Sequence, residues 1–302
     1  MYIYDCTTRD EFFAINDGRE FQDRYALQLH IAKTHGRDRR FTLPGFCRLC
    51  NRGVDFLVDR QYSTERHEGT PIPNWRERLV CPCCKLNNRH RAMGWFISEA
   101  IRTTVRNKPV IYMMEQLSPL YQDCVARYGQ CEWVGSEYLG PEVAPGTMKN
   151  GIRHEDATQL SLDSGSVNII VSNDVLEHIP MPLRALRQMH RVLHNDGILL
   201  MTIPFCATHD KNVQRARIEN GQVVHVLPPV YHGNPINPQG SLVFTDFGWE
   251  VLDDMRAEGF VDVQVVLFLE HGLRTPWRTA SVVPCAEDRL VGRTSGRPSP
   301  RT

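Results

Sequence analysis

Residues 167–205 read VNIIVSNDVLEHIPMPLRALRQMHRVLHNDGILLMTIPF, and the apolar pattern of this stretch decides the fold. Val167 to Val171 is a short apolar run rich in β-branched residues, the length of a buried strand. Ser172, Asn173 and Asp174 break it with three small polar residues. Leu183, Leu186, Met189, Val192 and Leu193 then recur at helical spacing, and Pro182 suits the first helical turn. Asn195-Asp196-Gly197 reads as a helix stop that supplies a left-handed residue. Ile198 to Ile203 is a second apolar run, closed by Pro204. Strand, helix and strand within about 40 residues form a βαβ unit, whose crossover is right-handed in nearly all folds. Ligands of such sheets bind beyond the carboxyl ends of the strands, which is where Asn173, Asp174 and Phe205 would lie.

The run Ser172-Asn173-Asp174-Val175-Leu176-Glu177-His178-Ile179-Pro180, followed by Arg191-Val192-Leu193 and Asp196-Gly197, resembles the fourth-strand region of class I S-adenosylmethionine-dependent methyltransferases. The resemblance implies an α/β fold, a Rossmann-like doubly wound sheet, with S-adenosylmethionine bound along the strand tips. It puts Asn173 and Asp174 against the cofactor.

Outward from this unit, Val110 to Met114 is the expected first strand. The family usually follows it with a glycine-rich turn, whereas this chain has Glu115-Gln116-Leu117-Ser118. Without glycine the turn must be wider, and close backbone approach to a ligand is harder. By position, Glu115, Gln116 and Ser118 are the cofactor-binding candidates there. Trp133 to Glu137 reads as the second strand, and Glu137 stands 22 residues beyond Glu115. That is near the usual offset of about 20 for a carboxylate that accepts both ribose hydroxyls. Glu137 and Tyr138 are candidates on that ground, although an ordinary exposed Glu would also fit. Asp156-Ala157 resembles the third-strand tip, where an acidic residue and the next amide read the adenine edge.

The chain has ten cysteines, some closely paired. Cys47-Arg48-Leu49-Cys50 is one Cys-x-x-Cys, and Cys81-Pro82-Cys83-Cys84 contains another. Together Cys47, Cys50, Cys81 and Cys84 supply the four thiolates that tetrahedral Zn2+ prefers. Four protein ligands leave no open position, so such a site is structural. Cys83 and His90 are rival ligands. Cysteine knuckles followed by Arg89-His90-Arg91 and a methyltransferase core resemble a group of bacterial zinc-knuckle methyltransferases.

These readings divide the chain into an N-terminal helical and zinc-knuckle module (1–106), a Rossmann-like domain (107–285) and a tail (286–302) expected to be disordered. Phe21 to Thr34 and Ala92 to Ile101 are expected helices of the first part. Gly248 to Gly259 and Val261 to Leu269 are the expected last helix and strand of the second. Residues 206–240 leave the core as a long excursion. Such insertions after a strand tip commonly form a lid or substrate wall. His209, Tyr231 and His232 in it join His178 as candidates to line an acceptor pocket or remove a proton.

Lys and Arg together number 35, as do Asp and Glu, which argues against nucleic acid as partner. Residues 1–107 hold 18 basic against 13 acidic residues, a modest excess that suits a solvated face. No apolar run approaches the roughly 20 residues needed to cross a bilayer, and the start lacks signal-peptide features. The expectation is a cytoplasmic enzyme that methylates a small molecule. A cyclase using the same cofactor, or a non-catalytic scaffold on the same fold, is the alternative reading.

Overall fold

The computed structural model describes residues 2–36, 38–63, 65–269, 271–273, 281–282 and 288–294. The chain divides into two compact units: 1–6, 10–98 and 266–287 form one, and 7–9, 99–265 and 288–302 the other. The division falls at 98/99, inside the helix Asn88–Thr103.

In the first unit, Arg19–Thr34 (α1) carries its buried Ile31 and Ala32 toward a small antiparallel sheet. That sheet consists of Arg40–Cys47 (β1), Arg52–Asp59 (β2) and Leu79–Val80 (β3), in that spatial order. Leu43, Phe56, Val58, Trp75 and Leu79 form its core with Cys47 and Cys81. Asn88–Thr103 (α2) follows, with Ala92, Met93 and Ile97 buried.

The second unit holds a parallel sheet built from Val110–Met113 (β4), Glu132–Gly135 (β5), Val167–Asn173 (β6) and Leu193–Thr202 (β7). Pro119–Arg127 (α3) connects β4 to β5, and Pro182–Val192 (α4) connects β6 to β7. The spatial order is β5-β4-β6-β7, so the two βαβ units run outward in opposite directions from the central β4/β6 pair. Right-handed crossovers then place their helices on opposite faces, which is the doubly wound arrangement. All seven residues of β6 are buried, as a central parallel strand requires, and the buried Asn168 accepts from Val110 N at 3.0 Å.

The predicted Asn195-Asp196-Gly197 stop takes a different form. The helix ends at Leu193, which is extended (φ −67°, ψ 140°), and these residues enter β7 as a bulge. Val167 pairs with Leu193 but Ile169 with Ile198. Gly197 does not adopt positive φ. A Cβ there would lie 2.8 Å from Leu193 Cδ2 and 2.9 Å from the His194 carbonyl oxygen, so close packing, not chirality, calls for glycine. The predicted third strand at Asp156 is absent: the edge beyond β5 carries only a parallel bridge between Glu137 and His154.

The excursion is a folded flap of short antiparallel pairs that extends to Phe247. Val213–Gln214 pairs with Thr245–Asp246, and Ala216–Glu219 with Gln222–His225. Tyr231–His232 (β8) pairs with Ser241–Leu242 (β9). Asn234 ties the β8–β9 loop, donating to Ser241 Oγ at 2.8 Å and accepting from the Ile236 and Asn237 amides. Glu250–Ala257 (α5) buries Val251, Leu252 and Met255, and Phe260–Leu269 (β10) follows. Within the stretch read as a disordered tail, Asp288–Thr294 (β11) is a strand antiparallel to β7; 295–302 lie outside the described residues. No helix among the described residues is long and apolar enough to cross a membrane.

Candidate active site and cysteine cluster

The switch point of the sheet lies between β4 and β6, and two of the expected residues meet across it. Asn173 ends β6 and donates from Nδ2 to Glu115 Oε1, just past the end of β4. Thr202 Oγ1, at the end of β7, donates to Asp174 Oδ1 at 3.0 Å. Asp174 takes a left-handed conformation (φ 50°), which Asp tolerates better than most residues, and it turns the chain off the strand.

The glycine-free first turn is closed by its own bonds. Gln116 N donates to Ser136 O and Ser118 N to Glu115 O. Leu117 N donates to Glu137 Oε1 at 2.8 Å. Gln116 clamps a neighbouring segment, donating to Gly151 O and accepting from Arg153 N. Ser118 caps α3, accepting from Tyr121 N at 3.0 Å. A wide turn of this kind needs no residue at positive φ, and none occurs from 114 to 118.

Glu137 leads the second cluster. Burial pushes its carboxyl pKa up, and the Leu117 N–H opposes that shift. Its backbone pairs with Arg153 and Glu155, which brings Asp156 close behind. Asp156 Oδ1 accepts from Thr158 N and Oγ1. Glu137 Oε2 and Asp156 Oδ2 remain open to donors. Tyr138 is exposed beside the His154 ring, and Ala157 is half-buried. A carboxylate just past the end of β5 and a second one close behind it are the chemistry that ribose hydroxyls and an adenine amino group require, so the residues fit the expected cofactor.

The four expected acceptor-side residues separate. His178 and His232 come together, with ring centroids 5.0 Å apart in an edge-on arrangement. Tyr231 is 54% exposed, and as the strand neighbour of His232 it projects to the opposite face. His209 is exposed and anchors the flap through its backbone, its carbonyl accepting from Trp249 N. Glu177, which no sequence reading singled out, is fully buried between the two imidazoles. Its place in Leu-Glu-His beside a strand tip was the available signal.

In the first unit, Cys47, Cys50, Cys81 and Cys84 offer sulfurs that all lie within 4.8 Å of one another. Cys47 ends β1 and Cys50 sits in the turn to β2. Cys81 follows β3 directly, and its thiol is held far below the usual range by hydrogen bonds from Cys47 and Cys84. Cys83, which is exposed, and His90, which is half-buried, both lie outside the cluster. Buried Arg91 braces the second knuckle, donating to Leu79 O (2.7 Å), Leu86 O (3.3 Å) and Asn88 Oδ1 (2.8 Å).

Fold and rim together define a doubly wound α/β domain with Glu115, Asn173, Asp174 and Glu137 gathered at the carboxyl ends of its strands. Residues 125–201 match the family model described as a methyltransferase domain. No curated protein matches the chain in sequence. Solved structures similar in fold include 1,6-didemethyltoxoflavin-N1-methyltransferase from Burkholderia thailandensis, at 12–14% identity with two others. That one has 13% identity, covers 69% of this chain and 79% of its own, and gives a TM-score of 0.34. A methyltransferase from Mesorhizobium loti has 14% identity, coverage of 66% and 96%, and a TM-score of 0.38. One from Methanosarcina mazei has 12% identity, coverage of 65% and 96%, and a TM-score of 0.36.

Proposed function

We propose that the chain is an S-adenosylmethionine-dependent methyltransferase acting on a small-molecule acceptor. The observation that carries this reading is the methyltransferase-domain match over 125–201, whose span includes Glu137, Asp156, Asn173 and Asp174. When bound, the cofactor supplies an electrophilic methyl group on a sulfonium. The chain's part is to hold and align it. Glu137 accepts from the ribose hydroxyls through its open oxygen, and Asp156 with the Ala157 amide faces the adenine edge. Glu115 and Asn173, joined at the switch point, face the amino-acid portion. His178 and His232 stand on the acceptor side, and alignment with exclusion of water supplies most of the rate. In the first unit, the convergence of four cysteine sulfurs supports a closed, structural Zn2+ site.

Calorimetric titration with S-adenosylhomocysteine tests the reading. Saturable one-to-one binding is expected. If the folded, zinc-replete chain shows no binding at millimolar ligand, the methyltransferase reading fails.

A further inference from the structure

Glu177 is fully buried, and neither of its carboxylate oxygens accepts a hydrogen bond. A carboxylate taken out of water must be compensated by charge or by donors. What faces it is a pair of imidazoles. His178 Nε2 and His232 Nδ1 each lie 3.5 Å from the same oxygen, Oε1. That is beyond the usual N–H···O reach of about 2.7–3.2 Å. It matches two ligands of one ion: bonds of about 2.1 Å at a tetrahedral angle set ligand atoms about 3.4 Å apart.

The tautomer agrees. His178 Nδ1 lies 2.8 Å from the Leu242 carbonyl oxygen and must donate to it, which leaves the Nε2 lone pair directed toward Glu177. A ring nitrogen held by a carbonyl, with the other free to bind, is how proteins orient a metal-binding histidine. The third ligand is placed by its backbone. His232 sits in the β8–β9 pair, and Phe244 N, two residues beyond β9, donates to Glu177 O at 2.7 Å. One ligand atom from each of the three residues falls within 4.8 Å of the others.

We propose that Glu177, His178 and His232 form a binding site for one divalent first-row transition metal, distinct from the cysteine cluster. A carboxylate with two imidazoles suits such ions better than magnesium or calcium. Three protein ligands leave coordination positions open, the form of a site that binds a reacting oxygen. One further step rests on the methyltransferase reading: the open positions take an oxygen of the acceptor, which is therefore a hydroxyl-bearing small molecule. The ion acidifies that hydroxyl, whose proton passes to solvent. The oxygen forms the new C–O bond as the sulfonium S–C bond breaks to a neutral thioether. The imidazoles then act through the ion rather than as bases.

The test uses the full, untagged, zinc-replete chain and Co2+ as the probe. Expected are one Co2+ per chain and visible d–d bands without the strong thiolate charge-transfer bands of cysteine ligation. Glu177→Gln and His232→Ala should each weaken Co2+ binding by at least about tenfold, with the fold retained and S-adenosylhomocysteine affinity unchanged. If the chain is purified already holding two metals, Glu177→Gln should hold one. Wild-type protein that holds one metal and takes up no Co2+, or variants that bind it as tightly as wild type, overturns the proposal. Loss of S-adenosylhomocysteine binding with Co2+ binding intact would sink only the step that concerns the acceptor.

Discussion

Replacing Glu137 by Gln separates the two tasks of this side chain. Gln keeps an oxygen where Oε1 accepts from Leu117 N at 2.8 Å, so the first turn should stay closed. What it removes is the charge. Hydrogen bonds to a charged group contribute about 1.5–3 kcal/mol, so loss of the carboxylate at the ribose should weaken S-adenosylhomocysteine by about 10- to 150-fold. Stability should move the other way. Burial raises the carboxyl pKa of Glu137, so the folded state holds this proton more tightly than the unfolded chain. The ionised form is therefore a penalty to folding at neutral pH, one that fades as pH falls through the raised value toward about 4.3. Glu137→Gln should melt no lower than wild type at pH 7, with any gain gone by about pH 4. Wild-type affinity should fall on acidification while that of the variant stays flat. Calorimetry and thermal melts across pH measure both. If Glu137→Gln binds S-adenosylhomocysteine as tightly as wild type at pH 7, the carboxylate is not at the ribose and the strand register assigned to the cofactor is wrong.

Elemental analysis of the purified chain should find zinc at the cysteine cluster, about one per chain. Cys47→Ser or Cys81→Ser should lower its melting temperature, and Cys83→Ser should not. Arg91→Met removes the braces on Leu79 O and Leu86 O; the expected cost is about 3 kcal/mol, with faster zinc loss to a chelator. Gly197→Ala should destabilise by about 1–3 kcal/mol, because its Cβ would meet two backbone oxygens, His194 O at 2.9 Å and Asn168 O at 3.2 Å. Denaturant melts of the latter two variants check both figures.

The parts of the fold that are local in origin were readable in the sequence. Val167 to Val171 lies in a fully buried strand because its composition permits little else. The helix from Pro182 follows from spacing that needs no partner to be recognised. The cysteine knuckles converge because each pair is preformed by two intervening residues. The failures depend on tertiary neighbours. Asn195-Asp196-Gly197 carries the composition of a left-handed stop, yet the approach of Leu193 and the Asn168 carbonyl makes it a bulge inside β7. The third strand fails because the backbone amides of Thr158 and Ser161 donate to the side chains of Asp156 and Glu155 rather than to a neighbouring strand. Glu177 was overlooked for a similar reason. Its meaning depends on His232, 55 residues away, and only the returning flap brings the two together.

The β8–β9 hairpin also has a bearing on engineering. Its ends are fastened at His232, Leu242 and Phe244, while residues 233–240 form the tip between the paired segments. Doubling such a tip adds only about 0.6 kcal/mol of closure entropy. The tip can therefore be lengthened in a library or graft, provided that Asn234, which ties the loop, and Gly240, where a Cβ would lie 2.3 Å from His232 O, are kept.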